Sequence, residues 1–307
     1  MEQTVEGDTP LIAVVIVHWI NIDDTIECIE SLTEINYPRF HLFLVNNGSP
    51  DFDYERVKKV FPETHVILSK DNLGFAGGYN LGIEKGINTT ADYFFLLNND
   101  TVVSPDIFNI LIPPMIDPNV GVVGPAIENY YEPERIWFSG GKFSRVLGFS
   151  YRRRPLITFE QSKSVDWING CAMLIKRDVI EEIGILWEPF FLYFEDLDFC
   201  LRARRANYLC VQVGKSLVKH KISASGGLLG NDQFSPNKAY YFGRNVFLLI
   251  PRNCHIFFKI TGMVSQFLIV LPYWIIQCIL NRNAKVIVDY LSGMRDGLIN
   301  RFGERPS

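Results

Sequence analysis

Long apolar runs alternate with segments of helical periodicity through the first hundred residues of the chain. Leu11–Trp19 is an apolar run, which is typical of a strand covered on both faces. Asp23 or Asp24 then offers an N-cap, and apolar residues recur at helical spacing up to Tyr37-Pro38. The alternation continues with predicted strands at Phe40–Val45, His65–Leu68 and Tyr93–Leu97 and a glycine-rich helix at Gly74–Gly86. This order predicts a doubly wound, mostly parallel α/β sheet over residues 10–125.

Residues 126–250 have a different pattern, with shorter apolar runs and more aromatic residues. Ile136–Tyr151 mixes glycine, serine and aromatic residues as a hairpin does, and Val165–Ile175 alternates as a strand does. A short helix is expected to begin near Arg177 and to end at Gly184, and a second helix is expected at Glu195–Ala206. We therefore expect a smaller, mixed part that follows the α/β half.

The tail, residues 251–307, differs again. Ile260–Leu280 contains 21 residues without a formal charge, and a spanning helix needs about 20. Basic residues flank this segment on both sides: Arg252, Lys259, Arg282 and Lys285. Pro272 weakens a clean span, so we expect a helical tail that contacts the membrane by lying in its interface or dipping into it. A true span, a buried core helix and the surface of a homo-oligomer stay open as alternatives.

The charge is unevenly placed along the chain. The formal net charge of −4 argues against nucleic acid as a partner, because nucleic-acid binding needs a basic face. Residues 252–307 carry seven Lys or Arg against three acids, so the excess of acids lies in the body that precedes them. A basic tail on an acidic body suggests an anionic membrane surface as the partner of the tail.

The six cysteines show no CxxC pair and no regular spacing, so neither a zinc site nor a disulfide framework is indicated. A reducing compartment is then the default. No basic start followed by an apolar stretch marks a secretory signal at the N-terminus. These observations predict a cytoplasmic protein.

Candidate chemistry lies in Leu96–Asp100, in Glu195–Asp198 and at His220. Asp100 follows a predicted buried strand, at the edge where open α/β sheets bind their ligands. One carboxylate and one neutral imidazole suit a divalent cation whose other positions go to phosphate oxygens and water. A second carboxylate is then free to act as a base. Taken singly, these stretches are equally an ordinary turn, the acidic first turn of a helix and a strand histidine.

Seven motifs follow in order: Val14–Trp19, Val45–Asp51, Asn72–Asn80, Asn98–Asp100, Trp167–Leu174, Phe191–Arg202 and Tyr241–Asn245. Over residues 11–250 this set resembles family 2 glycosyltransferases of the GT-A fold, closest to the rhamnosyltransferase-like and galactofuranosyltransferase-like branch. Val45–Asp51 stands at the nucleotide loop of that family, and Asn98–Asp100 stands at its DxD position. The resemblance implies a GT-A domain over residues 10–250, with a nucleotide-binding half before residue 126 and an acceptor half after it.

The resemblance implies a role for each motif. Asp196 would be the general base, and Asp100 and His220 would hold Mn²⁺ or Mg²⁺ against a diphosphate. The nucleotide-sugar side would be formed by Asn46, Asn72, Gly74, Gly77, Gly78, Asn98 and Asn99. The acceptor side would include Glu195, Asp198, Trp167 and Arg244.

The implied reaction is an inverting, metal-dependent transfer of one sugar, rhamnose or a related hexose. The donor would be dTDP- or UDP-linked, and the acceptor a glycan or a polyprenyl-diphosphate-linked sugar at the cytoplasmic face of a membrane. Asn46 and Asn98 replace acids that the family commonly has, which leaves fewer anionic oxygens for a metal. The Gln-x-x-Arg-Trp element of processive synthases is absent from the sequence, which favours single addition. A nucleotidyltransferase and a non-catalytic nucleotide-sugar-binding scaffold are the alternatives.

Overall fold

The computed structural model describes residues 9–133, 135–152, 162–222, 235–280 and 282–306. Its strands are β1 (Ile12–His18), β2 (Phe40–Asn47), β3 (His65–Ser69), β4 (Tyr93–Asn98), β5 (Thr101–Val103), β6 (Val120–Asn129), β7 (Ile136–Phe138), β8 (Gly141–Ser144), β9 (Phe149–Arg152), β10 (Lys163–Val165), β11 (Ala172–Lys176) and β12 (Leu209–His220). Its α-helices are α1 (Ile22–Thr33), α2 (Tyr54–Val60), α3 (Gly74–Ile87), α4 (Ile107–Leu111), α5 (Arg177–Ile183), α6 (Glu195–Arg205), α7 (Pro236–Asn253), α8 (Ile256–Ser265), α9 (Leu271–Leu280) and α10 (Ala284–Leu298). Short 3₁₀ turns lie at Pro113–Ile116 and Glu188–Phe190, and a π turn at Gln266–Val270 joins α8 to α9.

The main sheet has the strand order β10-β12-β6-β11-β4-β1-β2-β3, with β5 beside the end of β12 and β7 beside β6. The four strands β1 to β4 are mutually parallel, and β6 is parallel to β12. Strand β11 is inserted antiparallel between β4 and β6. All seven residues of β1 are buried, which explains why six of them are apolar. The expected α/β class with a mostly parallel sheet is confirmed.

Three local expectations were wrong. The N-cap of α1 is Asn21, whose side chain accepts a hydrogen bond from the backbone N–H of Asp24, so Asp23 and Asp24 lie in the first turn instead. The run Val165–Ile175 is not one strand, because β10 ends at Val165 and β11 begins at Ala172. The loop between them turns away to pair with β8, where the backbone N–H of Gly141 donates to the carbonyl oxygen of Trp167 at 3.1 Å. Residues 136–151 form more than a hairpin: β7 joins β6 in the main sheet, and only β8 and β9 pair with each other.

The C-terminal helices pack on the body through α7. Gly243 of α7 faces α10 so closely that a Cβ would lie 2.3 Å from the carbonyl oxygen of Tyr290. Among the described residues, one helix, Ile256–Leu280, is long and apolar enough to cross a bilayer by length and composition alone. Strand β6 runs through residue 125, so one sheet contains strands from both proposed halves, and the division into a nucleotide half and an acceptor half stays a prediction.

Helix α3 approaches the sheet closely through its glycines. A Cβ at the buried Gly82 would lie 2.2 Å from Cγ1 of Val15 in β1, and one at Gly78 would lie 2.8 Å from Cγ1 of Val17. Real Cβ atoms do not approach neighbours so closely, so these positions need glycine for packing. The glycine-rich sequence of α3 therefore has a structural cause.

We expect Gly82→Ala to lower the free energy of unfolding by about 1–3 kcal/mol, because overpacking outweighs the better helix propensity of alanine. The double variant Gly82→Ala/Val15→Ala should lose less stability than the sum of the two single variants, because the obstructing Cγ1 is gone. Urea unfolding of the three variants measures this. Strictly additive losses would contradict the close contact.

Candidate active site

Asp100 and His220 come together because of the strand pairing at the end of β12. Its last residues pair antiparallel with β5, so that His220 stands opposite Thr101. Asp100 directly precedes β5, and its Oδ1 lies 3.1 Å from Nε2 of His220. Both side chains are buried. Two residues that are far apart in the sequence thus meet at the edge of the sheet where β4 ends.

The ring nitrogens of His220 are buried and have no hydrogen-bond partner among the described residues. The contact with Asp100 is close enough for an ion pair, but its geometry is not that of a hydrogen bond. Two ligand atoms bound at right angles to one cation, at about 2.0–2.2 Å each, lie about 3 Å apart, so the pair fits one edge of an octahedral site. No cluster of three or more His, Cys, Asp or Glu residues able to hold a metal occurs in the described ranges. The remaining ligands would therefore be phosphate oxygens and water.

The charge of His220 depends on its neighbour. Burial lowers the pKa of His220, but the carboxylate of Asp100 and the thiol of Cys171 together outweigh burial and raise that pKa well above its ordinary value. Without a cation, the imidazolium compensates the buried carboxylate of Asp100. A histidine that binds a metal has to be neutral, so a cation bound here would take over this compensation and His220 would lose its proton.

A cavity of about 810 Å³ opens beside this pair, which is within the usual size range of small-molecule sites. The rings of Trp137 and His220 pack edge to face, with 4.7 Å between their centroids. Five of the residues expected in the site line the cavity: Asn98, Trp167, Glu195, Asp196 and His220. The predicted acidic, aromatic and histidine motifs therefore share one cavity.

Asp196 and Glu195 lie in the first turn of α6 and have different environments. Oδ2 of Asp196 accepts a hydrogen bond from the backbone N–H of Gly170 at 3.0 Å, and Oδ1 accepts one from Leu197 at 2.7 Å. Burial, and then the charge of Asp196, raise the pKa of Glu195 well above its ordinary value. Oε2 of Glu195 has no hydrogen-bond partner in the part of the chain that the structure describes. Glu195 therefore favours its neutral form, and the oriented carboxylate of Asp196 is the better proton acceptor.

Asp198 and Arg244, both expected on the acceptor side, do not line the cavity. Asp198 is fully buried, and its Oδ2 lies 2.9 Å from Nε of Arg202 in the same helix. Its Oδ1 accepts a hydrogen bond from Nδ2 of Asn253 at 2.7 Å and lies 3.3 Å from Nε of Arg252. Asp198 therefore joins α6 to the end of α7.

Arg244 and its neighbour Asn245 hold the chain that leads into α6. Nδ2 of Asn245 donates to the carbonyl oxygens of Phe190, Leu192 and Tyr193 at 3.1, 2.8 and 2.8 Å. Nη2 of Arg244 donates to the carbonyl oxygen of Phe190 at 2.5 Å. Burial lowers the pKa of Arg244. These two side chains of α7 thus act as a clamp on residues 190–193.

The clamped segment adopts an unusual backbone. Phe191, Tyr193 and Phe194 have φ of 62°, 68° and 78°. Such conformations cost about 1–3 kcal/mol each for residues other than glycine, and they persist only where the surroundings hold them. Gly74 also has positive φ, and a Cβ there would lie 2.3 Å from the carbonyl oxygen of Phe191. The segment and the start of α3 are therefore fitted closely together.

The expected nucleotide-side residues gather at the ends of β2 and β4. Asn46 closes a turn by accepting from the backbone N–H of Ser49 at 2.9 Å. Nδ2 of Asn47 donates to Oδ1 of Asn72 at 3.0 Å and to the carbonyl oxygen of Gly74 at 3.1 Å. Gly77 and Gly78 belong to α3, where packing already requires their small size.

Three residues outside the expected set position the site: His18, Asn47 and Asn245. His18 is buried, and its Nδ1 lies 2.7 Å from Oγ1 of Thr25. The same Oγ1 accepts a hydrogen bond from Nδ2 of Asn99 at 2.9 Å. A signal for each was present in the sequence. His18 is the one polar residue in β1, and Asn47 and Asn245 lie inside the motifs named above.

We expect Glu195→Gln to change the pH dependence of stability. The raised pKa of Glu195 makes its contribution to stability largest at low pH, and this contribution is lost as the pH rises from the ordinary glutamate value toward the folded-state value. The glutamine variant lacks this loss, so its advantage over the wild type should grow between about pH 5 and about pH 8. Urea unfolding at both pH values measures it. A constant difference would mean that Glu195 ionises normally.

The fold is similar to that of a solved glycosyltransferase. The mannosyltransferase PcManGT from Pyrobaculum calidifontis, in complex with GDP-Man and Mn²⁺, matches with a TM-score of 0.60 and 10% sequence identity. The match covers 95% of this chain and 88% of that chain. At this identity the likeness shows the fold alone, and it confirms the GT-A architecture.

Two similar proteins are named hexosyltransferases or rhamnosyltransferases. "Low-salt glycan biosynthesis hexosyltransferase Agl10" of Haloferax volcanii is 26% identical over 79% of this chain and 78% of its own length. "N-acetylglucosaminyl-diphospho-decaprenol L-rhamnosyltransferase" of Mycobacterium tuberculosis is 26% identical over 67% of this chain and 74% of its own length. The model of the family described as glycosyl transferase family 2 matches residues 13–184, more than half of the chain. The chain belongs to glycosyl transferase family 2 and is a glycosyltransferase.

Proposed function

We propose that this glycosyltransferase moves a single sugar from a nucleotide-diphosphate sugar to a hydroxyl group of its acceptor and inverts the anomeric centre. The observation that carries the proposal is the shared cavity: Asp196 and His220 line it, and His220 lies 3.1 Å from Asp100. This arrangement supports a base and a leaving-group site in one cavity. Asp196 and His220 lie beyond the segment that the family model matches, so their roles need direct tests.

Asp196 is the general base in this proposal. A sugar hydroxyl is a poor nucleophile near neutral pH and needs a carboxylate within about 2.6–3.2 Å to accept its proton. The acceptor oxygen forms the new bond to the anomeric carbon, the bond to the diphosphate oxygen breaks, and the proton passes to Asp196. One oriented carboxylate suffices for this in-line displacement, whereas a retaining glycosidase needs two about 5–5.5 Å apart. The raised pKa of Glu195 makes it unsuited to a second basic role.

Asp100 and His220 would hold Mn²⁺ or Mg²⁺, and the cation would supply charge stabilisation for the departing diphosphate. The unsatisfied ring nitrogens of His220 and the 3.1 Å separation support this role. The Mn²⁺ bound to PcManGT supports a divalent cation here as well. Because Asn98 and Asn46 supply no charge, we expect modest metal affinity.

The substrates are proposed from the relatives and the motifs. The two relatives favour rhamnose or a related hexose as the sugar and a polyprenyl-diphosphate-linked sugar or another glycan as the acceptor. We propose a dTDP- or UDP-linked donor, single rather than processive addition, and a place at the cytoplasmic face of a membrane during synthesis of a cell-surface glycan. The donor side would be formed by Asn46, Asn72, Gly74, Gly77, Gly78, Asn98 and Asn99.

We expect Asp196→Asn to lower kcat by about 10²–10⁴-fold, because the amide cannot accept the proton of the hydroxyl, while nucleotide affinity stays near the wild-type value. Sugar transfer by the purified protein and calorimetry with the nucleoside diphosphate measure the two quantities. Asp198→Asn is the control: it should lower the free energy of unfolding by about 3–5 kcal/mol with little effect on kcat of the folded enzyme. Normal turnover by Asp196→Asn would show that the base is another group.

We expect Asp100→Ala to remove the gain in nucleoside-diphosphate affinity that Mn²⁺ gives the wild type, while affinity measured in EDTA stays unchanged. The reason is that the carboxylate acts on the diphosphate through the cation. Calorimetry with and without Mn²⁺ measures both affinities, and Asp106→Ala, at a nearby exposed aspartate, is the control. An equal metal-dependent gain in Asp100→Ala and the wild type would contradict the assigned role.

A further inference from the structure

One long helix leaves an apolar face uncovered. Helix α8, the π turn and α9 form the continuous helix Ile256–Leu280, and only 22% of its most apolar stretch is buried. Phe257, Ile260, Leu268 and Ile279 recur at helical spacing and are 75%, 70%, 71% and 70% exposed. We call this side of the helix the apolar face. Contiguous exposed apolar surface of this kind marks an interaction site.

Other residues of the same helix attach it to the turn of the β8–β9 hairpin. The hydroxyl of Thr261 donates to the carbonyl oxygen of Val146 at 2.7 Å, and the hydroxyl of Ser265 donates to that of Leu147. Nε2 of Gln266 donates to the carbonyl oxygen of Gly148 at 3.3 Å. These polar contacts lie on the middle of the helix, where a spanning segment would face lipid.

The second half of the helix is attached as well. The ring of Trp274 stacks on that of Tyr290 of α10, with 4.9 Å between the ring centroids. It also packs against Phe242 of α7, with 6.3 Å between the centroids. Cys278 is buried one turn further on. Because one side is fixed to the protein along most of its length, the helix lies along the surface of the body and does not project from it.

The charges around the apolar face favour an anionic partner. Residues 252–288 contain no Asp or Glu, and Arg252 and Lys259 stand at one end with Arg282 and Lys285 at the other. Anionic lipid head groups complement such a pattern, since the basic residues lie at the level where an in-plane helix meets the head groups. A second copy of the chain would instead bring like charges together, whichever way the two helices ran.

The apolar face continues into the cavity of the candidate active site. Ile269 and Tyr273 line that cavity together with Asp196, and they are 49% and 53% exposed. The cavity is therefore bordered by the same helix that carries the apolar face. A molecule that reached the cavity from this side would pass along an apolar helix.

We propose that the apolar face of Ile256–Leu280 docks in the plane of an anionic lipid bilayer without crossing it, and that an acceptor carried on a lipid enters the cavity past Ile269 and Tyr273. The first part of this proposal, membrane docking, which we call the docking half, rests only on the observations about the helix. The second part, entry of the acceptor, which we call the entry half, also rests on the proposed sugar transfer.

The docking half is tested by flotation of the full chain with vesicles of phosphatidylcholine alone or mixed with phosphatidylglycerol. The wild type should float with the anionic vesicles and much less with neutral ones. The double variant Ile260→Glu/Leu268→Glu should bind at least about tenfold more weakly, because charges on the buried face of an interfacial helix are costly. The control Leu68→Glu/Ile116→Glu changes two equally exposed apolar residues elsewhere and should bind as the wild type does. Thermal unfolding checks that both variants fold, and equal flotation of the two would overturn the proposal.

Two further measurements exclude other uses of the face. Alkaline carbonate should release the protein from membranes of expressing cells, and resistance to extraction would overturn the in-plane arrangement. Without vesicles, the wild type and Leu268→Glu should have the same oligomeric state in sedimentation experiments. A dimer that this substitution dissociates would assign the face to a second copy of the chain.

The entry half is tested by comparing acceptors. Ile260→Glu/Leu268→Glu should transfer sugar normally to a short, water-soluble acceptor and lose about tenfold or more toward the same acceptor on a long lipid in vesicles. Equal transfer from vesicles by variant and wild type would overturn lipid entry. If the wild type uses neither acceptor, the proposed function fails, while the flotation result still decides docking.

Discussion

The antiparallel pairing of β5 with the end of β12 is the constraint on which the site depends. It sets His220 opposite Thr101 and so brings the imidazole to Asp100 at the end of β4. The pairing is possible because β11 enters the sheet antiparallel, which returns β6 and β12 to the direction of β4. The carboxyl ends of three strands then meet at one edge, where ligands bind in open α/β sheets. A metal-binding pair is the kind of chemistry that this edge can support.

Several unfavourable local energies lie around the cavity. The ring nitrogens of His220, Oε2 of Glu195 and Nε1 of Trp167 are buried without hydrogen-bond partners among the residues described. The segment before α6 adds several residues at positive φ, which Asn245 and Arg244 hold in place. Each feature destabilises the fold, and the buried strands of the sheet offset that cost. Such strain collects where a protein keeps polar groups ready for a ligand.

Helix α7 couples the site to the C-terminal helices. Its middle holds the segment before α6 through Arg244 and Asn245, and its end holds α6 through the buried carboxylate of Asp198. Phe242, on the same helix, lines the cavity and contacts Trp274 of α9. Asp196, the proposed base, and the apolar helix are thus both linked to α7. Docking at a membrane would orient the cavity without any change in the site itself.

The sequence by itself determined the α/β class, the first four strands and the family, because apolar runs, caps and short motifs are local patterns. It also indicated Asp100, Asp196 and His220 as the chemical groups. Tertiary structure alone decided their distances, since the approach of Asp100 and His220 arises from strand pairings between distant segments. It likewise turned Asp198 and Arg244 away from the cavity, because a motif specifies neighbours along the chain and not the direction of a side chain. The end of β10 at Val165 was not predicted for a similar reason. The loop that follows it pairs with β8, which is distant in the sequence, and a local pattern of apolar residues does not indicate such a pairing.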